Sequence, residues 1–287
     1  MKTITFAILL TVLNVTAWAQ VDPDPKLRAN RTTYHPAMEV LKPQRTPVTD
    51  EQLEQLKKFP LEAVWGVLQQ LGYVNCHYSG LKSTQPQARV AGRALTIRYL
   101  PRRPDLDQAM ETLAKEGDWP RAYNVRAAEE AKPGDVLVVD LGGGIPDGIF
   151  FGDISALGAK MAGAKGAILY GSTRDLSELR ALEGFPVWAI GFDPRPATQI
   201  GVDWNVPIRV GTVTVLPGDV VLADEEAVLF FPPQLAKQVI ERTTEFVARE
   251  DYEREMARLK KYRFRDVYPL NPELRKKFEE EYKNRKK

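Results

Sequence analysis

The chain has one cysteine, Cys76, and two histidines, His35 and His77, among its 287 residues. A single thiol excludes an intramolecular disulfide framework and any metal site built from several cysteines. The histidines lie in unpatterned segments with no acidic or cysteine partner at ligand spacing, and each reads as structural or exposed. Cys76 is next to His77, but adjacency in sequence does not make a nucleophile–base pair, so no catalytic thiol is read here. An excess of charge of one sign is also missing. With 40 Lys+Arg against 38 Asp+Glu, composition gives no footing for a nucleic-acid or polyanion binder. No apolar run approaches the roughly 20 residues of a bilayer span.

What is present is enough apolar side chain, 44% of residues, to bury the core of one large domain or two small ones. The first residues are set apart. Met1-Lys2 opens a short positive region, the apolar run Ile4 to Val15 follows, and Ala17-Trp18-Ala19 precedes Gln20. That layout predicts a cleaved secretory signal over 1–19, and hence a secreted or periplasmic protein with no membrane association once the signal is removed. Asn30-Arg31-Thr32 matches the glycosylation sequon, which matters only in a eukaryotic secretory route.

Residues 20–48, rich in Pro, Asp and Arg, read as an extended arm. Thr49-Asp50 predicts a helix start, Pro60 breaks the following apolar stretch into two helices, and Gly72 ends the second. Arg89 to Leu100 predicts a strand, and short helices are expected over Leu106 to Lys115 and Ala122 to Ala131. Val136 to Asp140 (VLVVD) is a strand of the buried type. Helices and strands then alternate: Ile154–Ala164, Ala167–Tyr170, Leu176–Leu182 and Val187–Gly191. Short β segments follow over Ile208–Val210, Val213–Val215, Val220–Ala223 and Ala227–Phe231, then a long charged helix from Pro233 to about Lys261. The Lys/Arg/Glu-rich tail to Lys287 reads as solvated or packed on a neighbour. The alternation gives an α/β layered domain. Trp65, Trp119, Trp188 and Trp204 read as packing residues.

The most informative stretch is Asp140 to Asp175, DLGGGIPDGIFFGDISALGAKMAGAKGAILYGSTRD. It starts where a buried strand ends, and ligands in α/β sheets bind at the carboxyl ends of strands. Gly152-Asp153 opens the next helix, whose first amides lack intrahelical partners and can hold a carboxylate or phosphate. A further strand delivers Arg174-Asp175 to the same edge, where an Arg fork can grip a substrate carboxylate and an Asp a hard cation. Plainer readings stand beside these: Asp153 as a helix cap, and Arg174-Asp175 as an ion pair or Asp175 as an N-cap. The Gly142-Gly143-Gly144 triplet fits a turn and matches neither the dinucleotide nor the P-loop spacing.

Asp153, twenty residues and then Arg174-Asp175 resembles the D-x20-R-D signature of the class II pyruvate aldolases, the 4-hydroxy-4-methyl-2-oxoglutarate/4-carboxy-4-hydroxy-2-oxoadipate aldolases. The surrounding blocks are similar to the wider RraA-like family, which includes the regulator of ribonuclease E activity: ARVAGRALTIR (88–98), KPGDVLVVD (132–140), FPVWAIG (185–191) and VPIRVGTVTVLPGDVVLADEEAVLFFP (206–232). The likeness covers roughly residues 60–250. It departs at Trp65-Gly66-Val67, where relatives carry a Ser/Thr-Asp pair, and in the added ends. With the leader and arm read above, the expected organisation is a signal at 1–19, an arm at 20–48, an RraA-like aldolase domain at 49–255 and a charged extension at 256–287. The fold it implies is a layered, swivelling β/β/α-type domain with helices around a central sheet.

The resemblance also implies a mechanism. Asp175 would hold a divalent cation, Mg²⁺, Mn²⁺ or another, together with oxygens of a small 2-oxo acid substrate. The cation would act as a Lewis acid on the pyruvate enolate formed at C–C cleavage. Arg174 would contact substrate oxygens, and the amides of Ile154 and Ser155 would hold the pyruvyl carboxylate. Asp153 would act, directly or through water, as the base for the C4 hydroxyl. A neighbouring subunit of a homotrimer or homohexamer would add an acid, Glu250, with Glu253 the other option. Retro-aldol cleavage of a 4-hydroxy-2-oxo acid and decarboxylation of an oxaloacetate-like acid share that enolate. A non-catalytic regulatory or protein-binding module, or a 2-oxo acid binding protein, would use the same fold without turnover.

Overall fold

The computed structural model describes residues 36–146 and 148–285. The leader and sequon, and His35, lie outside the described residues. No helix among those described is long and apolar enough to cross a membrane.

Chain order runs α1 (Pro36–Leu41), a 3₁₀ turn (Lys42–Gln44), α2 (Asp50–Leu56), α3 (Leu61–Gln70), β1 (His77–Tyr78), β2 (Lys82–Ser83), β3 (Val90–Pro101), α4 (Pro104–Gly117) and α5 (Tyr123–Glu130). It continues through β4 (Asp135–Asp140), α6 (Asp153–Met161), β5 (Ala167–Thr173), α7 (Leu176–Ala181), β6 (Val187–Phe192) and β7 (Gln199–Trp204). Then come β8 (Ile208–Val210), β9 (Val213–Val215), β10 (Val220–Ala223), β11 (Val228–Phe231), α8 (Ala236–Leu259), α9 (Phe264–Val267) and α10 (Pro272–Arg285). The main sheet has the order β1-β11-β10-β3-β4-β5-β6-β2, parallel from β3 to β6 and antiparallel elsewhere. β3 is long enough to pair β10 along its first half and β7 along its second.

The VLVVD run of β4 is apolar throughout because both its faces are covered. Val136 and Val138 pack with the β8–β9 hairpin residues Ile208, Val210, Val213 and Val215. Leu137 and Val139 point the other way, onto Tyr123 and Ala127 of α5 and Ala156 and Ala159 of α6. These layers, hairpin then sheet then helices, form the expected β/β/α-type arrangement. A third cluster joins α2, α3 and the start of α8 over Val220, Leu222, Leu229 and Phe231. α2 begins with a reciprocal capping box: the Gln52 amide donates to the Thr49 hydroxyl, and the Thr49 amide to the Gln52 side chain.

Two sequence expectations need correcting. The described part of the 20–48 arm is not wholly extended: 36–41 is helical, and the part-buried Arg45 pairs with the buried Asp219 at 2.8 Å while also donating to the Pro217 carbonyl. The charged tail is not simply solvated: α9 and α10 fold back on α8 and bury a few apolar side chains, while most of their charged residues stay exposed. Tyr252, Val267, Leu274 and Phe278 form a small core of their own. Strands β1, β2 and β7 were not anticipated. Among the tryptophans, Trp188 is buried with its indole N–H donating to the Asp224 carbonyl, and Trp119 and Trp204 flank the Arg126 guanidinium. Trp65 is 39% exposed and meets His77 edge-on.

Candidate active site

Strands β4 and β5 end side by side, at Asp140 and Thr173, with Asp140 in register with Tyr170. Gly142 and Gly143 adopt positive φ (74° and 80°), so the triplet is a turn, and the Gly143 amide donates to the Tyr170 carbonyl. From Gly148 the chain zips onto the end of β5. Ile149 bridges Ser172 in parallel, the Ser172 amide donates to the Gly148 carbonyl and the Phe150 amide to the Ser172 carbonyl. The buried hydroxyls of Ser172 and Thr173 donate to the carbonyls of Ile145 (2.6 Å) and Phe151 (2.7 Å). This ribbon brings Gly152-Asp153 against Arg174-Asp175 across twenty intervening residues.

The contact is close. The Asp153 amide donates to Asp175 Oδ2 at 3.3 Å, and Arg174 Nε lies 3.5 Å from the same oxygen. A Cβ at position 152 would fall 1.9 Å from Asp175 Oδ2 and 3.1 Å from Arg174 Nε, so the carboxylate occupies space that only glycine leaves open. Asp175 itself is left-handed (φ 57°, ψ 46°), a conformation that Asp tolerates better than most residues. A strained backbone at a strand end is where functional geometry is commonly stored.

The capping alternatives fail. The N-cap of α6 is Gly152, with Asp153 the first helical residue; Asp175 sits at the N-cap of α7 but makes no side-chain cap bond. The Asp153 carboxylate is half-buried and has no hydrogen-bond or ion-pair partner among the described residues. The Arg174–Asp175 ion pair exists, but at 3.5 Å with side chains 42% and 36% exposed it contributes little to stability. Among the described residues the amides of Ile154 and Ser155 donate to no backbone carbonyl, as expected in a first turn, and they lie where the helix dipole favours an anion. The Ser155 hydroxyl accepts from Asn124 Nδ2 at 3.0 Å. Beyond β6, the Asp193 amide donates to the Thr173 carbonyl, while Arg195 holds the Asp193 carboxyl down at a pKa of about 2. That carboxylate is committed to Arg195 and does not carry protons near neutral pH.

Among the described residues no three His, Cys, Asp or Glu side chains group as a metal-holding set. A site with one carboxylate suits a hard cation that keeps water and takes substrate oxygens, and does not suit a closed transition-metal cage. Asp175 fits that role, since one oxygen is fixed by Asp153 and Arg174 while Oδ1 has no partner among the described residues. Glu250 is not brought to this group within one chain. It bonds Arg254 at 2.9 Å on α8, where that helix turns toward Phe264 and Tyr268. Glu253 is buried beside Arg249, and burial raises its pKa. Sequence reasoning placed Gly152 at the helix start but missed its close approach, and it missed Asn124 entirely. The glycine immediately before a helix-opening aspartate was the available signal for the first. Asn124 had none.

Residues 47–230 match the family described as RraA-like, Aldolase/RraA. A Thermus thermophilus protein named 4-hydroxy-4-methyl-2-oxoglutarate aldolase is 32% identical over 152 residues, 53% of this chain and 80% of its own length. A Halalkalibacterium halodurans protein carrying a provisional form of that name is 33% identical over 134 residues, 46% of this chain and 62% of its own. In structure, RraAS2 of Streptomyces coelicolor, titled an unusual member of the RNase ES inhibitor RraA protein family, superposes with a TM-score of 0.63 at 26% identity. That superposition covers 73% of this chain and 99% of that one.

Proposed function

The chain belongs to the RraA-like Aldolase/RraA family, and on that footing we propose that it is a divalent-cation-assisted carbon–carbon lyase releasing pyruvate from a 4-hydroxy-2-oxo acid. The observation that carries this is the packing of Asp175 into the space over Gly152, with the Asp153 amide and Arg174 fixing one of its oxygens. Neither plain helix capping nor a surface ion pair calls for that arrangement.

Asp175 would hold the cation, Mg²⁺ or Mn²⁺, through its unengaged oxygen. When bound, the cation supplies Lewis acidity that stabilises negative charge on the 2-oxo oxygen. The remaining steps fall to the chain. The unpaired amides of Ile154 and Ser155 bind and orient the pyruvyl carboxylate at the positive end of α6. Arg174 lies beside the oxygens that gain charge as the bond breaks. The Asp153 carboxylate, without a partner among the described residues, takes the C4 hydroxyl proton directly or through a water. The C3–C4 bond then cleaves, C4 becomes a carbonyl, and the bonding pair stays on C3 as the pyruvate enolate. Protonation at C3 completes pyruvate. Loss of CO₂ from an oxaloacetate-like acid leaves the same enolate and would use the same cation, amide and Arg174 contacts, with no C4 hydroxyl for Asp153 to deprotonate.

A neighbouring copy completes the site in this reading, with Glu250 as the incoming acid. Supporting it, α6 presents Ile154, Leu157 and Met161 on one exposed apolar stripe that begins at the site, Ile154 being 80% and Met161 77% exposed. The test is pyruvate release from a panel of 4-hydroxy-2-oxo acids and oxaloacetate, with Mg²⁺ and with EDTA. Release abolished by chelation supports the lyase. Tight oxo-acid binding without release would instead make the chain a binding protein, and neither binding nor release would leave a regulatory module.

A further inference from the structure

The balance of charge over the whole chain hides a local excess. Where α8 ends and α9 begins, residues 258–268 (RLKKYRFRDVY) carry five Lys or Arg against one acid, Asp266. Arg258, Lys260, Lys261, Arg263 and Arg265 are all exposed. Asp266 is already held by Arg263, at 2.7 and 3.1 Å, while the side chains of Arg258, Lys260 and Lys261 have no partner among the described residues. Lys260 is left-handed (φ 55°), which ends α8 and turns the cations off its axis.

The same turn exposes apolar side chains that the small core beneath it does not take in. Phe264 is 69% exposed, Tyr268 60% and Leu259 46%, while Val267 is buried. The two rings lie 6.1 Å apart beside a groove of about 270 Å³. Glu250 and Glu253 also line that groove, but Arg254 and Arg249 face them.

Charge decides what covers such a surface. A second copy of the chain would bring its apolar stripe on a helix that carries Lys160 and adjoins Arg174, the same sign as the turn, and like charges disfavour that pairing. A nucleic acid would use the cations and the rings but gives the aliphatic Leu259 nothing to pack on. An anionic bilayer surface uses every feature: the cations sit among headgroup phosphates, and Leu and Phe side chains reach the boundary with the acyl chains. We propose that the turn between α8 and α9 docks the protein on an anionic lipid surface. The expectation of no membrane association rests on the lack of a spanning run, and peripheral docking needs none.

The test is co-sedimentation with vesicles of phosphatidylcholine alone or with about one-third phosphatidylglycerol. Two forms are compared, the full chain and the chain starting at Gln20, which keeps every described residue. The shorter form is expected to bind anionic vesicles at least about tenfold more tightly than neutral ones and to come off as salt is raised. Lys260→Gln combined with Lys261→Gln should weaken binding about 25-fold, at about fivefold per cation. Phe264→Ala should weaken it about threefold to tenfold through the lost ring. Both variants change exposed side chains and spare the core of Tyr252, Val267, Leu274 and Phe278, so thermal unfolding should be unchanged. Binding only with the leader present, no preference for anionic lipid, or unchanged affinity in either variant overturns the proposal. So does tighter binding of single-stranded RNA than of vesicles, or self-association lost in Phe264→Ala, which would assign the rings to a nucleic acid or to a second copy. Pyruvate release in solution should be the same in these variants, so a failure here leaves the lyase reading standing.

Discussion

Replacing Gly152 with alanine tests the site geometry most sharply. The backbone there is extended (φ −114°, ψ −161°), so alanine meets no conformational penalty. The obstacle is the neighbour. The new Cβ would lie 1.9 Å from Asp175 Oδ2, against the 3.0 Å below which real Cβ contacts essentially never fall, so more than 1 Å must be made up. Asp175 is the group that moves, losing its bond from the Asp153 amide and its place beside Arg174. Overpacking of this kind costs about 1–3 kcal/mol of stability, a modest loss. A displacement of about 1 Å in a catalytic group costs on the order of 100-fold in rate, a severe one. Gly152→Ala should therefore melt a few degrees lower and lose pyruvate release almost entirely, with divalent-cation binding weakened in calorimetry. Gly66→Ala is the control: nothing lies within 4 Å of its Cβ, and the position is inside α3. It should gain about 0.5–1 kcal/mol and keep full activity. Near-normal turnover in Gly152→Ala would refute the reasoning.

Three further outcomes follow from particular residues. Asp175→Gly relieves the left-handed conformation, so thermal unfolding should show stability equal to wild type or up to about 1 kcal/mol higher while divalent-dependent turnover disappears; a marked loss of stability would make Asp175 structural. Arg174→Lys keeps the charge but loses the planar fork, and kcat/KM should fall at least about tenfold, whereas an unchanged value would remove Arg174 from the site. Cys76 is 2% exposed and burial pushes its pKa up to about 11, so at pH 8 the thiol stays protonated. It should resist a thiol reagent in the native protein and react at once in denaturant; rapid native labelling would contradict its placement.

The parallel half of the sheet was legible because VLVVD and the alternating helices announce themselves through burial. β7 was not: Gln199–Trp204 mixes polar and apolar residues at the carboxyl half of β3, where only the length of β3 makes room for it. The tail misled because its core positions, Val267, Leu274 and Phe278, are single apolar residues among charges, and their partner Tyr252 lies on a helix that also reads as charged. Spacing alone left Asp153 open between cap and base; the structure makes Gly152 the N-cap and leaves the Asp153 carboxylate without a partner among the described residues. Asn124 carries no motif, since its contact with Ser155 arises from the packing of α5 on α6.

The account turns on whether these residues stabilise a pyruvate enolate, and exchange of the pyruvate methyl protons in D₂O, followed by NMR, reports that directly whichever 2-oxo acid is the true substrate. Wild-type protein with Mg²⁺ should accelerate the exchange well above the metal-only rate, and EDTA or Asp175→Ala should return it to background. Exchange no faster than with Mg²⁺ alone, or exchange that survives Asp175→Ala, would contradict it.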